Sequence, residues 1–281
     1  MKNQIELFNH SALQCSKTIT QLYSTSFSLG IKTLGKEFRL PVYAIYGFVR
    51  YADEIVDTFH GEDKALLLAE FKTETYKAIS NKISLNPVLH SFQLAVNQYN
   101  IPLDYVEAFF YSMEMDLHDI HYNLDKYQKY IYGSAEVVGL MCLKVFCNGN
   151  ENQYNNLLAP ARSLGAAFQK INFLRDIKSD YEERGRTYFP EIDFTKFTDA
   201  QKSFIENDIK KDFDDAYKGI LNLPKGARLG VYLAYVYYLQ LFKKIKQLPA
   251  STIMNTRVRV PDNQKIMLLV QSYFKHSLNA L

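Results

Sequence analysis

Two aspartate pairs restrict the folds open to this chain more than any other feature of its sequence. Asp53 and Asp57 lie four residues apart in one apolar, helix-forming stretch, and Asp176 and Asp180 have the same spacing in another. On a helix this spacing puts both carboxylates on one face, with Cβ atoms about 5–6 Å apart. Because unpaired buried charge is costly, two such faces require a fold in which helices turn them toward a common polar site.

The rest of the chain favours a helical architecture. Its eight prolines mostly fall between segments with helical periodicity, and no alternating apolar runs are joined by Asn-Gly or Asp-Gly turns. We therefore expect one all-α domain covering residues 1–281, a helical bundle with its site between facing helices. The predicted helices are 9–31, 42–58, 63–80, 88–99, 103–119, 125–147, 152–181, 199–219, 226–247 and 262–279.

Composition narrows the classes of function. The 281 residues are 47% hydrophobic, ample for a large core, and a net charge of +3 is too small to indicate nucleic-acid binding. Three cysteines without a C-x-x-C pair indicate reduced thiols in a cytoplasmic protein. Residues 1–10 contain no apolar leader, and the longest apolar run, 137–146, is interrupted by Lys144 and is too short for a bilayer span. Any membrane contact is therefore expected to be peripheral, at the inner face.

The first aspartate pair belongs to a longer stripe. On a helix over 42–57, Tyr43, Tyr46, Arg50, Asp53 and Asp57 fall on one side, aromatic at one end and charged at the other. An exposed face rarely has two tyrosines, and a buried face rarely has two aspartates. A cavity whose deep wall is apolar and whose opening is charged would accommodate both the aromatic and the charged end of the stripe. An amphipathic helix with a salt-bridged polar end remains the simpler alternative for this motif alone.

The second pair also extends into a stripe. Gln169, Asn172, Asp176 and Asp180 share one face of a helix otherwise rich in Ala, Leu, Ile and Phe. Carboxylate and amide oxygens are hard ligands, suited to Mg²⁺ that also holds a substrate diphosphate. Two stripes of this kind in one chain are hard to explain as solvated surface, so we expect them to face each other across a site for Mg²⁺ and diphosphate.

A loop with two arginines follows the second stripe. Arg184 and Arg186 lie in the segment 184–190, and guanidinium groups match the oxygens of a diphosphate with forked donors. The loop could hold or release an anionic substrate group. On its own, a segment of this composition is more often a solvated turn.

Six segments of the chain, in the same order, resemble the squalene/phytoene synthase family of head-to-head prenyltransferases, and within it the bacterial phytoene synthases. They cover nearly the whole length, and their combination is more specific than any one of them. The resemblance implies an isoprenoid-synthase bundle of helices around a central cavity. The segments are YSTSF (23–27), AIYGFVRYADEIVD (44–57), MDL (115–117), YIYGSAEVVG (130–139), NFLRDIKSD (172–180) and RGRTYFP (184–190).

The resemblance also implies roles for individual residues. Metal would be held by the four aspartates of the two pairs, supported by Asn172. Catalysis would depend on those aspartates together with Arg50 and Tyr130, the latter at the reaction centre with Tyr237. The predicted substrate-binding residues are Ser24, Ser26, Phe27, Arg50, Gln169, Asn172, Arg175, Arg186, Tyr237, Arg257 and Lys265.

Simpler interpretations of some of these residues stay open. Ser24 and Ser26 could be only a helix start, since serine is a favoured N-cap. Arg257 and Lys265 could be surface charges. A single tyrosine in a helix, such as Tyr130, usually packs in the core with one hydrogen bond.

The implied reaction is Mg²⁺-dependent condensation of two geranylgeranyl diphosphates to phytoene, through a cyclopropyl diphosphate, in carotenoid biosynthesis. Mn²⁺ could replace Mg²⁺. Departure of diphosphate leaves allylic cations, so the site must exclude water. The 21 Tyr and 19 Phe suit this need, because aromatic faces stabilise cations by about 0.5–2 kcal/mol each and are poor nucleophiles. The final proton acceptor is either a released diphosphate oxygen or Tyr130.

Three other kinds of function are alternatives for this chain. A dehydrosqualene or squalene synthase would use farnesyl diphosphate, and squalene synthesis would add NADPH. We expect no NADPH requirement, because the chain has no G-x-G-x-x-G motif. A di-iron bundle would carry Glu-x-x-His motifs, which are absent from the sequence. A non-catalytic scaffold gives no reason for two aspartate stripes. The sequence does not predict the oligomeric state.

One position is predicted to select the length of the substrate. Ser24, Phe27, Ser28 and Ile31 share a helix face, which places Ile31 about 10 Å beyond Ser24 along the axis. Tyr43 is a similar distance from the charged end of its own helix. Both side chains are expected to face the prenyl tail. A branched aliphatic residue at 31 leaves room for a fourth isoprene unit, so we expect the C20 donor to be preferred over C15.

Overall fold

The described part of the chain is helical throughout. The computed structural model describes residues 3–118, 121–182, 185–190, 192 and 196–278, and within these ranges it contains no β-strand, only an isolated bridge between His121 and Thr187. The predicted all-α class is confirmed. The helices are α1 (Gln4–Tyr23), α2 (Thr25–Lys32), α3 (Lys36–Asp57), α4 (Lys64–Asn81), α5 (Pro87–Tyr99), α6 (Leu103–His118), α7 (Leu124–Ile131), a π-helical segment (Tyr132–Glu136), α8 (Val137–Cys147), α9 (Glu151–Glu182), α10 (Asp199–Asn222), α11 (Lys225–Lys246), α12 (Ala250–Ile253) and α13 (Asp262–Ser277).

The predicted helix 9–31 is in fact two helices. Ser24 separates α1 from α2 in an extended conformation (φ −146°, ψ 105°), and its Oγ accepts a hydrogen bond from the amide of Phe27 at 3.2 Å. A capping serine starts a new helix by satisfying an otherwise unpaired amide. The continuous helix was predicted wrongly because the same serine is also tolerated inside a helix. The break lets α2 take its own direction, with Ile31 only 5% exposed.

Helix α3 begins earlier than predicted. It starts at Lys36 rather than at 42, and Pro41 lies inside it. Proline cannot donate the hydrogen bond that would reach the carbonyl of Glu37, which normally destabilises a helix. The first turn persists because Phe38 is buried and packs edge-on against Phe146, with ring centroids 5.5 Å apart. Tertiary packing thus overrides the local helix-breaking signal.

The predicted helix 125–147 is interrupted by a π-helical turn, Tyr132–Glu136. The turn is packed tightly between two neighbours. A Cβ at Gly133 would lie 2.2 Å from the carbonyl oxygen of Ala108 on α6, and one at Gly165 would lie 2.8 Å from that of Ala135. Turns of this kind concentrate at functional sites. Here the turn presents Ser134 and Ala135 to the interior cavity described below.

A phenylalanine cluster anchors one side of α3. Phe48 is fully buried and stacks on Phe92 at 3.8 Å between ring centroids, with Phe71, Phe109 and Phe110 around it. These rings bind α3 to α4, α5 and α6. Because this face of α3 is fixed in the core, the opposite face, with Arg50 and Asp53, is held toward the interior cavity.

One helical segment of the described chain, Leu124–Cys147, is long and apolar enough to cross a membrane, and its most apolar window of 18 residues has a mean hydropathy of 1.4. This differs from the expectation that the apolar run is too short. However, 56% of its most apolar window is buried inside the protein. Core helices of soluble proteins pass the same test, so the segment is weak evidence for a membrane span.

Candidate active site

A cavity of about 580 Å³ lies inside the bundle. Its wall is built from the end of α1, from α2, α3, the π-helical turn, α8, α9, α10 and α11 with some of their connecting residues, and from one residue of the loop before α13. Residues from both predicted stripes reach it, so the structure brings α3 and α9 to one site. The predicted site residues in the wall are Ser24, Ser26, Phe27, Arg50, Asp53, Gln169, Asn172, Arg175, Tyr237 and Arg257.

The deep part of the cavity is apolar. Side chains such as Ile31, Leu34, Phe146, Leu157 and Ile220 form its wall. Along α9 the apolar lining runs from Leu157 to Phe168, eleven residues further on, which corresponds to about 16 Å at the rise of an α-helix. A long, narrow, apolar space with polar groups at one end fits a long hydrocarbon tail with a polar head.

Glycines allow the helices around the deep part to approach closely. A Cβ at Gly219 on α10 would lie 2.3 Å from the Cβ of Pro160 on α9, and one at Gly230 on α11 would lie 2.8 Å from the carbonyl oxygen of Gly30. All four residues line the cavity. Any side chain at Gly219 or Gly230 would force the helices apart and change the width of the space.

Cations gather at the polar end. Arg50, Arg175 and Arg257 line the cavity, and Lys265 lines a small cleft beside it. Arg50 forms an ion pair with Glu54, and its guanidinium lies 4.5 Å from the centre of the Tyr23 ring. Three guanidinium groups around one opening form a site for an anion with several oxygens, such as a diphosphate.

Asp53 has an unusual electrostatic environment. Burial raises the pKa of its carboxyl to about 7, and the neighbouring charges of Asp57 and Asp116 add to the increase, while Arg50 opposes it. The ionised form is therefore poorly stabilised by the protein alone. A bound cation would favour ionisation by supplying the missing countercharge.

Asp176 is paired with two arginines. Arg175, its neighbour in sequence, donates to both carboxylate oxygens, and the Nε of Arg257 lies 2.7 Å from Oδ1. Asp176 is outside the cavity wall, but both of its partners line it. The carboxylate thus supports the positions of two arginines at the polar end.

Arg186 links the other predicted aspartates. Its Nη1 lies 3.3 Å from Oδ1 of Asp57, and its backbone amide donates to the carbonyl of Asp180 at 2.8 Å. The Asp180 side chain is buried. The predicted loop therefore does reach the aspartates, although Arg186 contacts carboxylates here rather than the cavity. The other predicted loop arginine, Arg184, lies outside the described residues.

Asp116 is the main site residue that the predicted residue set omitted. Its Oδ2 accepts from the hydroxyl of Tyr130 at 2.8 Å, its Oδ1 accepts from Tyr188 at 3.1 Å, and Nη2 of Arg186 donates to its carbonyl at 2.7 Å. Burial raises its carboxyl pKa to about 6, against the favourable charge of Arg186. The sequence did contain a signal for Asp116, since an acidic residue stands between two apolar ones in the MDL segment (115–117). Tyr130 is thus placed behind the cavity wall, in this network.

Ser24 and Asn172 each combine two roles. Ser24 caps α2, as the simpler interpretation held, and also lines the cavity, where it bonds to Tyr46. Asn172 lines the cavity while its Oδ1 accepts from the hydroxyl of Tyr238 at 3.2 Å. Tyr238, which the sequence did not single out, stacks on Phe168 with ring centroids 3.9 Å apart. These bonds fix the orientation of polar groups at the opening.

One predicted position differs from expectation. Tyr43 is only 2% exposed and is packed in the core, whereas its neighbours Val42 and Ile45 line the cavity. The predicted stripe assumes one idealised helix face, whereas the cavity lies against a neighbouring face of α3 that includes Val42 and Ile45.

The donor set fits Mg²⁺, which prefers oxygen ligands. Among the described residues, no three His, Cys, Asp or Glu side chains converge closely enough to hold a metal ion by themselves. Mg²⁺ commonly binds through one or two carboxylates, with water and substrate phosphate completing its shell. The half-buried Asp53, with its raised pKa, and the arginine-paired Asp57 and Asp176 suit such a substrate-dependent site.

Comparison with known proteins identifies the family. The family model "Squalene/phytoene synthase" matches residues 20–264, so the chain belongs to the squalene/phytoene synthase family. A chloroplastic phytoene synthase of Daucus carota is 28% identical over 85% of this chain and 64% of its own length, and one of Cucumis melo is 28% identical over 96% and 68%. The chain thus spans about two thirds of the length of these relatives. The predicted family and the prenyltransferase class are confirmed.

Solved structures show the same fold. A dehydrosqualene synthase in complex with ligand superposes with a TM-score of 0.81 and 20% identity, covering 97% of this chain and 98% of that one. Squalene synthase HpnC from Alicyclobacillus acidocaldarius has a TM-score of 0.74 and 19% identity, covering 85% and 94%. The isoprenoid-synthase type of bundle predicted for the chain is therefore confirmed.

Proposed function

We propose that this chain condenses two geranylgeranyl diphosphates head to head to form phytoene, the colourless precursor of carotenoids. The observation that supports this most is the cavity, with cationic groups at one end and an apolar depth of about 16 Å along α9. The phytoene synthases among its relatives support the same substrate class.

Asp53, Asp57, Asp176 and Asp180, supported by Asn172, would hold Mg²⁺, or Mn²⁺ in its place. When bound, the metal supplies Lewis-acid stabilisation of the departing diphosphate. The protein's own part is to place carboxylates on α3 and α9 beside the opening.

The arginines would orient the substrate. Arg50, Arg175 and Arg257 line the opening, where forked donors can bind diphosphate oxygens, and the Ser24 and Ser26 hydroxyls lie in the same wall. Lys265, in the adjoining cleft, adds a further positive charge. With the diphosphate held at this end, the tail has only the apolar depth to occupy. The reacting carbon is then placed between the charged end and the aromatic side chains.

Aromatic residues would protect the cationic stage. Phe27, Tyr46, Phe168, Tyr237 and Tyr238 line the cavity close to its polar end. Their faces attract positive charge and their rings do not trap it as water would. Tyr130 and Asp116 lie behind this wall, where the hydroxyl of Tyr130 donates to the carboxylate of Asp116. This hydrogen bond would hold both polar groups in place and leave them unavailable to water.

Localisation and cofactor use follow from the same proposal. The enzyme would act without NADPH, in the cytoplasm, with peripheral contact to the membrane that receives its product. The alternative within the family is condensation of farnesyl diphosphate to dehydrosqualene or squalene. Because a dehydrosqualene synthase has the same fold, the C30 products of farnesyl diphosphate are the products to test against.

The proposal is tested by product identification. The purified chain is incubated with farnesyl or geranylgeranyl diphosphate and Mg²⁺, with and without NADPH, and the lipid product is analysed by mass. We expect a C40 hydrocarbon from geranylgeranyl diphosphate, with the same mass whether or not NADPH is present. Preferential C30 product, or a product two hydrogens heavier with NADPH, would move the assignment to the alternative. No condensation of either substrate would overturn the proposal.

A further inference from the structure

Helix α13 has an apolar face that the rest of the described protein leaves uncovered. Its exposed apolar residues lie at offsets of 0, 1, 4, 7, 8 and 12, which fall on one side of a helix. The opposite side packs against α11, with Ser272 only 2% exposed. The exposed residues are Ile266 (60%), Met267 (50%), Val270 (47%), Tyr273 (57%), Phe274 (60%) and Leu278 (75%).

The same end of the chain is strongly basic. Residues 223–278 contain nine Lys or Arg and a single acidic residue, Asp262. The whole chain has a net charge of only +3, so the rest of the protein is net acidic. Positive groups flank α13 at both ends. Lys244 bonds to the carbonyl of the exposed Arg259 just before the helix, and the exposed Lys275 lies in its last turn.

Helix α13 also borders the entrance to the cavity. Lys265 and Leu268 line the small cleft that shares Ser26 and Tyr237 with the cavity wall. The Lys265 ammonium lies 3.5 Å from the hydroxyl of Thr25 and 5.9 Å from the centre of the Tyr237 ring. The inner side of α13 is therefore part of the opening, and its outer side is the exposed apolar face.

We propose that α13 is the surface on which this protein docks to an anionic lipid bilayer. Its apolar face would lie at the boundary between headgroups and acyl chains, and the surrounding lysines and arginines would contact acidic headgroups. This orientation places the cavity entrance against the lipid, so that a prenyl tail would pass between bilayer and cavity without crossing water. That consequence rests on the proposed function, whereas the docking itself depends only on the surface.

The test is co-sedimentation of the whole chain with vesicles. Vesicles of phosphatidylglycerol and phosphatidylcholine are compared with vesicles of phosphatidylcholine alone. We expect binding to the anionic vesicles that weakens with salt. The double variant Ile266→Asp/Phe274→Asp should lower binding by about tenfold or more, since it removes two exposed apolar side chains that would be buried in the bilayer. The matched control is Leu85→Asp, which alters a 91% exposed leucine between α4 and α5 and should bind like wild type.

A second variant tests the electrostatic part. Lys243→Glu/Lys275→Glu reverses two exposed charges and should reduce binding to anionic vesicles by about tenfold or more. Condensation of substrate presented in detergent micelles should be unchanged in all of these variants, which separates docking from catalysis. A wild type that binds neither vesicle, or equal binding by Ile266→Asp/Phe274→Asp and Leu85→Asp, would overturn the proposal. So would a wild-type dimer in sedimentation that the double variant makes monomeric, because a second copy would then cover this face.

Discussion

The Nε of Arg257 lies 2.7 Å from Oδ1 of Asp176, joining the loop before α13 to the second aspartate pair on α9. Arg257 also lines the cavity. An arginine thus supplies positive charge to a carboxylate that is expected to bind Mg²⁺ during catalysis. Binding of metal and diphosphate would require an exchange of partners, with Arg257 moving from the carboxylate to the substrate.

This exchange predicts opposite effects of Arg257→Gln on two affinities. The KM for prenyl diphosphate should rise by about tenfold or more, since a hydrogen bond to a charged group contributes about 1.5–3 kcal/mol. Binding of Mg²⁺ alone, measured by calorimetry, should become tighter because Asp176 loses a competitor. Arg259→Gln, at an exposed position two residues away, is the control and should leave both quantities unchanged. Weaker binding of Mg²⁺ in Arg257→Gln would contradict the exchange.

The aspartate pairs predict a steep loss of activity. Asp53→Asn and Asp176→Asn keep the size of each side chain but remove the charge that a metal requires. Each should lower kcat/KM by roughly a hundredfold or more at saturating Mg²⁺, because metal stabilisation is worth several kcal/mol. Asp125→Asn, which changes an exposed aspartate paired with Lys129, is the matched control. Near-normal turnover in either site variant would exclude a metal role for that residue.

Asp53→Asn should also stabilise the metal-free fold above neutral pH. Burial raises the Asp53 carboxyl pKa to about 7 from 3.8, so its contribution to stability is present at acidic pH and is lost as the pH rises through 7. The variant does not ionise. Its unfolding midpoint in EDTA should therefore exceed that of wild type above pH 7, with the gap closing toward pH 3.8. A gap that does not change with pH would show that Asp53 is not desolvated.

Ile31 should set the preferred length of the substrate. It is 5% exposed and lines the cavity beside Gly30 and Leu34. Ile31→Phe should fill the depth used by the fourth isoprene unit and raise the ratio of C15 to C20 specificity constants. Overpacking alone would lower stability by ~1–3 kcal/mol without affecting that ratio. The control is Ile79→Phe, a similarly buried position on α4 outside the cavity wall. An unchanged ratio in Ile31→Phe, with a loss of stability like that of the control, would remove Ile31 from the tail space.

His90 should make the fold sensitive to acid. Its Nδ1 accepts from the amide of Ser84 at 3.2 Å, so Nε2 bears the hydrogen and donates to Asn9 at 2.7 Å. Burial lowers the His90 pKa from 6.5. As the pH falls, His90 is therefore protonated in the unfolded chain before it is protonated in the folded protein. The stability that neutral His90 contributes is complete above pH 6.5 and is lost as the pH falls through the lowered pKa.

The measurement is chemical denaturation above and below pH 6.5. His90→Gln keeps an acceptor but cannot titrate, so its free energy of unfolding should change less over this interval than that of wild type. His60→Gln, at an exposed histidine, should follow wild type. Equal pH dependence in His90→Gln and wild type would mean that His90 is already protonated or exposed in the folded protein.

Periodicity predicted the faces of the helices better than their ends. Asp53 on α3 and Asn172 on α9 line one cavity because a helical repeat places residues on faces regardless of where the helix starts. The break at Ser24 and the extension of α3 through Pro41 depend on capping and on burial of Phe38, which local sequence does not specify.

Contacts between distant segments were the least predictable part of the site. Arg186 pairs with Asp57 across 129 residues, and Asp116 receives hydrogen bonds from Tyr130 and Tyr188. Such pairs depend on the angles at which helices pack, and neither spacing nor composition contains that information. The same reason explains Tyr43, which shares the predicted stripe but is turned into the core by the rotation of α3.

We expect this site to release diphosphate from a prenyl substrate with the help of a metal that the aspartates hold. The most direct measurement is inorganic diphosphate released from geranylgeranyl diphosphate as Mg²⁺ is added back to protein treated with EDTA. The account predicts release that rises from near zero with Mg²⁺, at two diphosphates per hydrocarbon product, and that Asp53→Asn abolishes. Release that is independent of metal, or equal in wild type and Asp53→Asn at every Mg²⁺ concentration, would contradict it.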